Sequence, residues 1–193
     1  MAKALLVSPS YFILFIFLIF SSVKISVFGE EYSYVKSINL EKMNILKEKV
    51  THFQLYWQDV VSGSDATSIT VIEAVNNSST LFGSVTIIDD SLTVEPNLSS
   101  KTVGKSQGFY ASTGQEEFSL LMVMNFAFTD GKYNGSTFTV VGRNNVKAKV
   151  REMSIVSGSG LFRFARGYVL ASTYSVSDNG DATVEYNCYV IHY

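Results

Sequence analysis

The chain has 193 residues, a net charge of −2 and one cysteine, Cys188. So small a charge with no basic cluster argues against a nucleic-acid partner. A single cysteine excludes an internal disulfide, so the fold must rest on its core, and the length is ample for one.

The chain opens with Lys3, an unbroken apolar run from Tyr11 to Phe20, small residues at Ser26 and Gly29, and then Glu30-Glu31. That order predicts a signal peptide over 1–29, cleaved near Gly29, and a product secreted to the extracellular space. The run is too short for a comfortable membrane span, and no other stretch approaches the roughly 20 apolar residues one needs. Residues 30–46 are polar with a short, uncapped helix-compatible piece, and read as an N-terminal arm. The folded domain is expected over 47–193.

From there the pattern is strand, turn, strand. Segments 53–60, 67–74, 81–90, 101–112, 117–129, 137–141, 146–155, 161–174 and 182–192 are rich in β-branched and aromatic residues, and Gly, Asn, Asp and Ser separate them. Segment 117–129 is apolar on nearly both faces, as a central wall would be. Eight or nine strands without a strong helix mean a sandwich or a barrel. Closure would remove the edges of such long strands, so an all-β, eight-stranded antiparallel barrel with a ligand cavity is expected. Sequons at Asn76, Asn77, Asn97 and Asn134 are candidate N-glycosylation sites, and Asn76 and Asn77 overlap.

Chemistry has few places to sit. His52 and His192 are far apart, no motif suggests a metal or a nucleotide, and no redox centre is visible, so no cofactor is expected. In the first strand, Phe53, Leu55, Trp57 and Asp59 share one face. A carboxyl at the end of an apolar face would be held protonated by burial and could move a proton; alternatively Asp59 only begins the next turn. Asp89-Asp90 reads as a turn rather than an acid pair, because adjacent strand residues face opposite ways. Arg151 could bind an oxyanion or simply be an exposed strand charge beside Lys147 and Lys149. Arg163 and Arg166 share a segment but differ in parity, so at most one points inward. Tyr110 could bind a phenol or merely pack, and Cys188 reads as a core thiol.

An ordered series of motifs over about 47–193 resembles the plant dirigent proteins. It comprises Leu55-Tyr56-Trp57-Gln58-Asp59-Val60, Asp89-Asp90-Ser91-Leu92-Thr93, Ser106-Gln107-Gly108-Phe109-Tyr110 and Met124-Asn125-Phe126-Ala127-Phe128. Gly131-Lys132-Tyr133-Asn134-Gly135, Gly142-Arg143-Asn144, Val150-Arg151-Glu152-Met153 and Phe162-Arg163-Phe164-Ala165-Arg166-Gly167 follow in order.

The resemblance implies a secreted barrel related to allene oxide cyclase, a homotrimer, and phenolic ligands. It implies stereochemical control over the coupling of monolignol radicals such as those of coniferyl alcohol, in lignan and phenylpropanoid metabolism. An external laccase or peroxidase would supply the radicals. Other relatives close ether rings through quinone methides, as in pterocarpan formation, and the wording around 132–144 is closer to that branch. A phenolic-binding defence protein is a third expectation.

Carried over by position, the resemblance makes Asp59, Arg151 and Tyr110 the catalytic candidates. Phe53, Leu55, Trp57, Asn144 and Thr173 are then candidates for substrate contact. Three positions depart from the family pattern. Gln58 stands where histidine is usual, Asn144 where the lignan branch has a second acid, and Ser157-Gly158-Ser159-Gly160 where Gly-Gly-Thr-Gly is usual.

Overall fold

The structure is a computed structural model and describes Ile38 and residues 47–193. The predicted signal peptide and nearly all of the predicted arm lie outside the described residues. Nine strands follow in chain order: β1 Lys49–Asp59, β2 Ser68–Ile72, β3 Val85–Thr93, β4 Thr102–Ser112, β5 Ser119–Phe128, β6 Thr137–Asn145, β7 Arg151–Ser159, β8 Arg166–Val176 and β9 Ala182–His192.

Each strand from β3 to β9 pairs antiparallel with the next, and β9 pairs along all of β1. The ring closes where Tyr56, Trp57 and Gln58 of β1 pair with Thr93, Leu92 and Ser91 of β3. The result is a closed eight-stranded barrel, with β2 left outside on the free half of the same β3 edge. Closure satisfies backbone groups that a flat sheet of these strands would leave at its edges.

Period-2 alternation decides what fills the interior. In β5, Leu120, Met122, Met124, Phe126 and Phe128 are buried, whereas Leu121, Val123, Asn125 and Ala127 face outward and are exposed or half-buried. Val184, Tyr186, Cys188 and Val190 of β9 are likewise buried. Cys188 is a core residue whose thiol burial pushes its pKa far up. The barrel must bend tightly to close, and Gly167 shows how. At φ 147° it lies so close to β9 that a Cβ would meet the Tyr189 carbonyl oxygen at 2.0 Å.

Strand bounds differ from the sequence reading at three turns. Residues 81–84 are not strand, because Leu81 (φ 59°) and Gly83 (φ 89°) are left-handed and turn the chain before β3. Gly142–Asn145, read as a separator, instead continues β6, and the turn falls at 146–150. Residues 160–165 form a tight turn, with Gly160 and Phe164 both near φ 60°. Arg163 therefore sits in that turn and Arg166 opens β8; both are exposed, so neither points inward. Arg166 instead pairs with Glu48 at 2.7 Å.

Candidate functional site

The barrel register sorts the interior into two ends. One end is aromatic. Phe53, near the start of β1, lies 5.0 Å (centroid to centroid) from Phe128 and from Tyr133, and 5.8 Å from Phe162. Two short 3-10 turns deliver the closing rings. Gly131–Tyr133 brings in Tyr133 and Gly160–Phe162 brings in Phe162, and these two rings stack at 5.2 Å. His192 is spent here: its Nδ1 is 2.8 Å from the Leu161 carbonyl oxygen and its Nε2 is 2.9 Å from the Thr51 hydroxyl. Burial lowers its pKa.

The other end collects the polar candidates, because the end of β1, the end of β4, the end of β6 and the start of β7 all meet there. Asp59 is 8 % exposed, inward with Leu55 and Trp57, so it belongs to the interior and not to the following turn. Its Oδ1 is buried with no hydrogen-bond partner. Burial raises its pKa to about 6; the Ser68 hydroxyl and the Tyr110 phenol relieve part of that, and Asp181 adds to it. A carboxyl in this state can hold a proton near neutral pH and give it up without a large penalty.

Arg151 opens β7, buried rather than exposed, and its Nε donates to Asn144 Oδ1 at 3.0 Å. The Asn144 amide in turn donates to the Met122 sulfur at 3.6 Å. Burial lowers the pKa of Arg151, while the Tyr186 phenol opposes that. Tyr110, half-buried, is pushed well above its ordinary pKa by burial and by the charge of Asp59; its ring meets Trp57 edge-on at 6.4 Å.

Two residues of the interior escaped the sequence reading. Asp90 is fully buried inside β3, where a turn was expected; Asp89, its neighbour, faces out. The signal was available, since Ile88, Asp90 and Leu92 share parity and the flanking pair is apolar. Asp90 Oδ2 accepts the Trp57 indole N–H at 2.7 Å, and its carboxyl also accepts the Thr67 and Ser68 hydroxyls. Burial raises its pKa to about 7, opposed by Thr67 and pushed further by Asp59. Tyr186 is the other. Its hydroxyl is buried without a partner, and it senses Arg151 on one side and Asp59 and Asp90 on the other.

The structure links these residues in pairs: Trp57 lies 6.4 Å from Tyr110 and 6.3 Å from Tyr186 (ring centroids), Asp59 faces Tyr110, Arg151 bonds Asn144, and Leu55 is buried on the same face as Trp57. It separates Phe53, which is six residues up β1, roughly 20 Å at the usual strand rise, and belongs to the aromatic cluster. Thr173 keeps the inward parity of Val169 and Ala171 but is exposed beside the bulge that follows it. Gln58 points away from the face of Asp59. Its amide nitrogen donates to the Thr93 hydroxyl at 2.9 Å and to the Pro96 carbonyl oxygen at 3.2 Å, and its carbonyl accepts from Thr183 at 2.9 Å. The four sequon asparagines are all exposed in turns. Among the described residues, no three His, Cys, Asp or Glu side chains are grouped to hold a metal, and no helix is long and apolar enough to cross a membrane.

Known proteins share this frame. Residues 50–191 match the family model for Dirigent-like protein. Dirigent protein 7 of Arabidopsis thaliana is 54% identical over 162 residues, covering 83% of this chain and 87% of the relative. Pterocarpan synthase 1 of Glycyrrhiza echinata is 47% identical over 165 residues, covering 83% and 88%. The solved structure of a pterocarpan synthase dirigent protein superimposes with a TM-score of 0.73 at 49% identity, over 77% of this chain and 87% of that one. A pyocyanin demethylase with 13% identity and a TM-score of 0.52 shares the fold alone. Family model, relatives and barrel agree: the chain belongs to the dirigent family.

Proposed function

We propose that the protein is a secreted, non-oxidative catalyst that closes an ether ring on a phenolic substrate through a quinone methide and controls its stereochemistry. One observation carries this reading: Asp59, a buried carboxyl with an unpartnered oxygen, stands at the polar end of an aromatic-walled barrel. Radical coupling needs no acid, whereas loss of a benzylic hydroxyl does. Asp59 would protonate that hydroxyl, which leaves as water while the conjugated phenol releases its proton to solvent, generating the quinone methide. A second phenol of the same substrate would then attack the exposed carbon; its proton would return to Asp59 as the quinone-methide oxygen takes one back from solvent. The net change is loss of one water, with no electron transferred. Tyr110 and Arg151 would hold the phenolic oxygens, a positioning and electrostatic role that the inward setting of both supports. A ligand cavity around Tyr186, opening past Thr173, is part of this reading. Similarity to pterocarpan synthases supports it as well.

A second reading, stereoselective coupling of monolignol radicals supplied by a laccase or peroxidase, is favoured by the 54% identity to Dirigent protein 7. Both readings accommodate a homotrimer. Ile69, Ile87, Phe109, Val123 and Val141 are register neighbours across β2 to β6 and line up an apolar outer stripe that a second copy could cover.

The test is to incubate the purified protein with a racemic isoflavanol and no oxidant, and separately with laccase-generated coniferyl alcohol radicals, reading both by chiral chromatography. Oxidant-free ring closure, reduced about 10²–10⁴-fold in Asp59→Asn, is the expected result. Enantiomeric excess in the radical arm alone would replace the first reading with the second.

A further inference from the structure

The edge of β3 is shared by two strands, and the handover between them falls at Asp90. β2 pairs with its first half, ending at Ser68 opposite Ile88, and β1 pairs with its second half, starting at Gln58 opposite Ser91. Between these ladders the Asp89 amide bonds the Thr67 carbonyl oxygen. Three donors from the two strands and their junction therefore converge on the inward carboxyl of Asp90. They are the Trp57 indole N–H at 2.7 Å, the Thr67 hydroxyl, and the Ser68 hydroxyl at 3.1 and 3.3 Å from its two oxygens. A carboxyl that accepts three donors is best satisfied when ionised.

Asp59 has the opposite surroundings. No donor reaches its Oδ1, and the hydrogen-bonding groups that face it are the Ser68 hydroxyl and the Tyr110 phenol. Ser68 is itself buried and stands between the two acids. It owns a single hydrogen but two lone pairs. Given to Asp90, that hydrogen leaves the Ser68 oxygen as an acceptor, which only a protonated Asp59 can use.

We infer that Asp90 is a positioning residue: by taking the Ser68 hydrogen and the Trp57 N–H it stays ionised and leaves Asp59 as the carboxyl that carries the proton. The inference rests on the reading of Asp59 as the acid. Two influences oppose this order, since the Tyr110 phenol faces Asp59 and burial with the charge of Asp59 takes Asp90 to about 7 against about 6 for Asp59; the three donors converging on Asp90 are set against them. Asp181, just before β9, adds negative charge near Asp59; Tyr110 of β4 and Tyr186 of β9 are neutral phenols; and the positive Arg151 of β7 acts on Tyr186. The pair titrates as a unit holding one proton between two carboxyls.

The experiment follows the aspartate carboxyl carbons of ¹³C-labelled full-length protein by NMR as pH is raised from acid to neutral. The result expected is a protonated Asp59 and an ionised Asp90 in the intermediate range. In Asp90→Asn the midpoint of Asp59 falls by about one pH unit or more, as loss of a neighbouring like charge requires. In Ser68→Ala, which deletes only a hydroxyl and keeps the test alive if Asp90→Asn does not fold, the Asp90 midpoint rises. The reverse assignment, an Asp59 midpoint unmoved in folded Asp90→Asn, or an Asp90 midpoint unmoved in Ser68→Ala overturns the inference. The alkaline limit of kcat/KM for oxidant-free ring closure, measured on the same proteins, separates the two ideas. NMR shifts as expected with no turnover on any phenol would defeat the proposed function and leave the proton placement intact. Oxidant-free turnover with the NMR order of the two carboxyls reversed would do the opposite, leaving ring closure intact and defeating the proton placement.

Discussion

The two ends of the barrel are built from the same strands by the same alternation, yet they have opposite chemistry. At one end, Phe53, Phe128, Tyr133, Phe138 and Phe162 fill the space with rings 5.0–6.2 Å from Phe53, and the buried histidine there has both nitrogens engaged. At the other, Asp59 and Tyr186 keep buried polar atoms without partners. Burying a polar group unpaired costs free energy, so the second end stores a demand that a ligand could satisfy. The aromatic end makes no such demand. It contributes stability, and the polar end gives up some of it.

If that division is right, mutation should separate stability from chemistry. The largest stability effect is expected at the aromatic end. Phe162 is fully buried and packs on Phe53, Phe128, Tyr133, Phe138 and His192. Phe162→Ala should cost about 3–5 kcal/mol in urea unfolding while leaving product stereochemistry unchanged in the folded fraction. Altered enantiomer ratios would place the site at the wrong end.

A smaller effect, of opposite sign, is expected at the polar end. Burial holds Asp59 at about 6 and Asp90 at about 7, both above their unfolded value of 3.8. Groups raised in this way stabilise the fold fully below the unfolded pKa, and that contribution is lost as pH rises through the folded one. Melting temperature should therefore fall between about pH 4 and pH 7, and Asp59→Asn should recover up to roughly 2–3 kcal/mol at the higher pH. An Asp59→Asn variant less stable than the parent at both values would mean that the carboxyl is a structural partner. The smallest change is expected outside both ends. Lys101 and Asp130 pair at 2.6 Å but are largely exposed, so Lys101→Ala should shift stability by no more than about 1 kcal/mol.

Alternation made much of this legible in advance. The inward face Leu55, Trp57, Asp59 and the buried row of β5 could be read from parity, because a strand offers only two sides. Parity also held the clue to Asp90, which was missed because a double aspartate after an apolar run resembles a turn. Turns were less legible. Leu81 and Phe164 adopt left-handed backbone that their side chains disfavour, in turns closed by the Ser84 and Ala165 amides. Arg151 was ambiguous for a similar reason. It follows Lys147 and Lys149 along the chain, yet it alone begins a strand and turns into the barrel, where Asn144 receives it.

What the sequence determined by itself is therefore the class of fold, the strand count and which residues of a strand share a side, since these depend on local periodicity. Tertiary structure alone decided which strands meet. It put Asp90 of β3 against Trp57 of β1 and Ser68 of β2, and set Tyr186 within the influence of Arg151 and two acids. Those relations come from register and closure, which bring together residues dozens of positions apart and which no local pattern encodes.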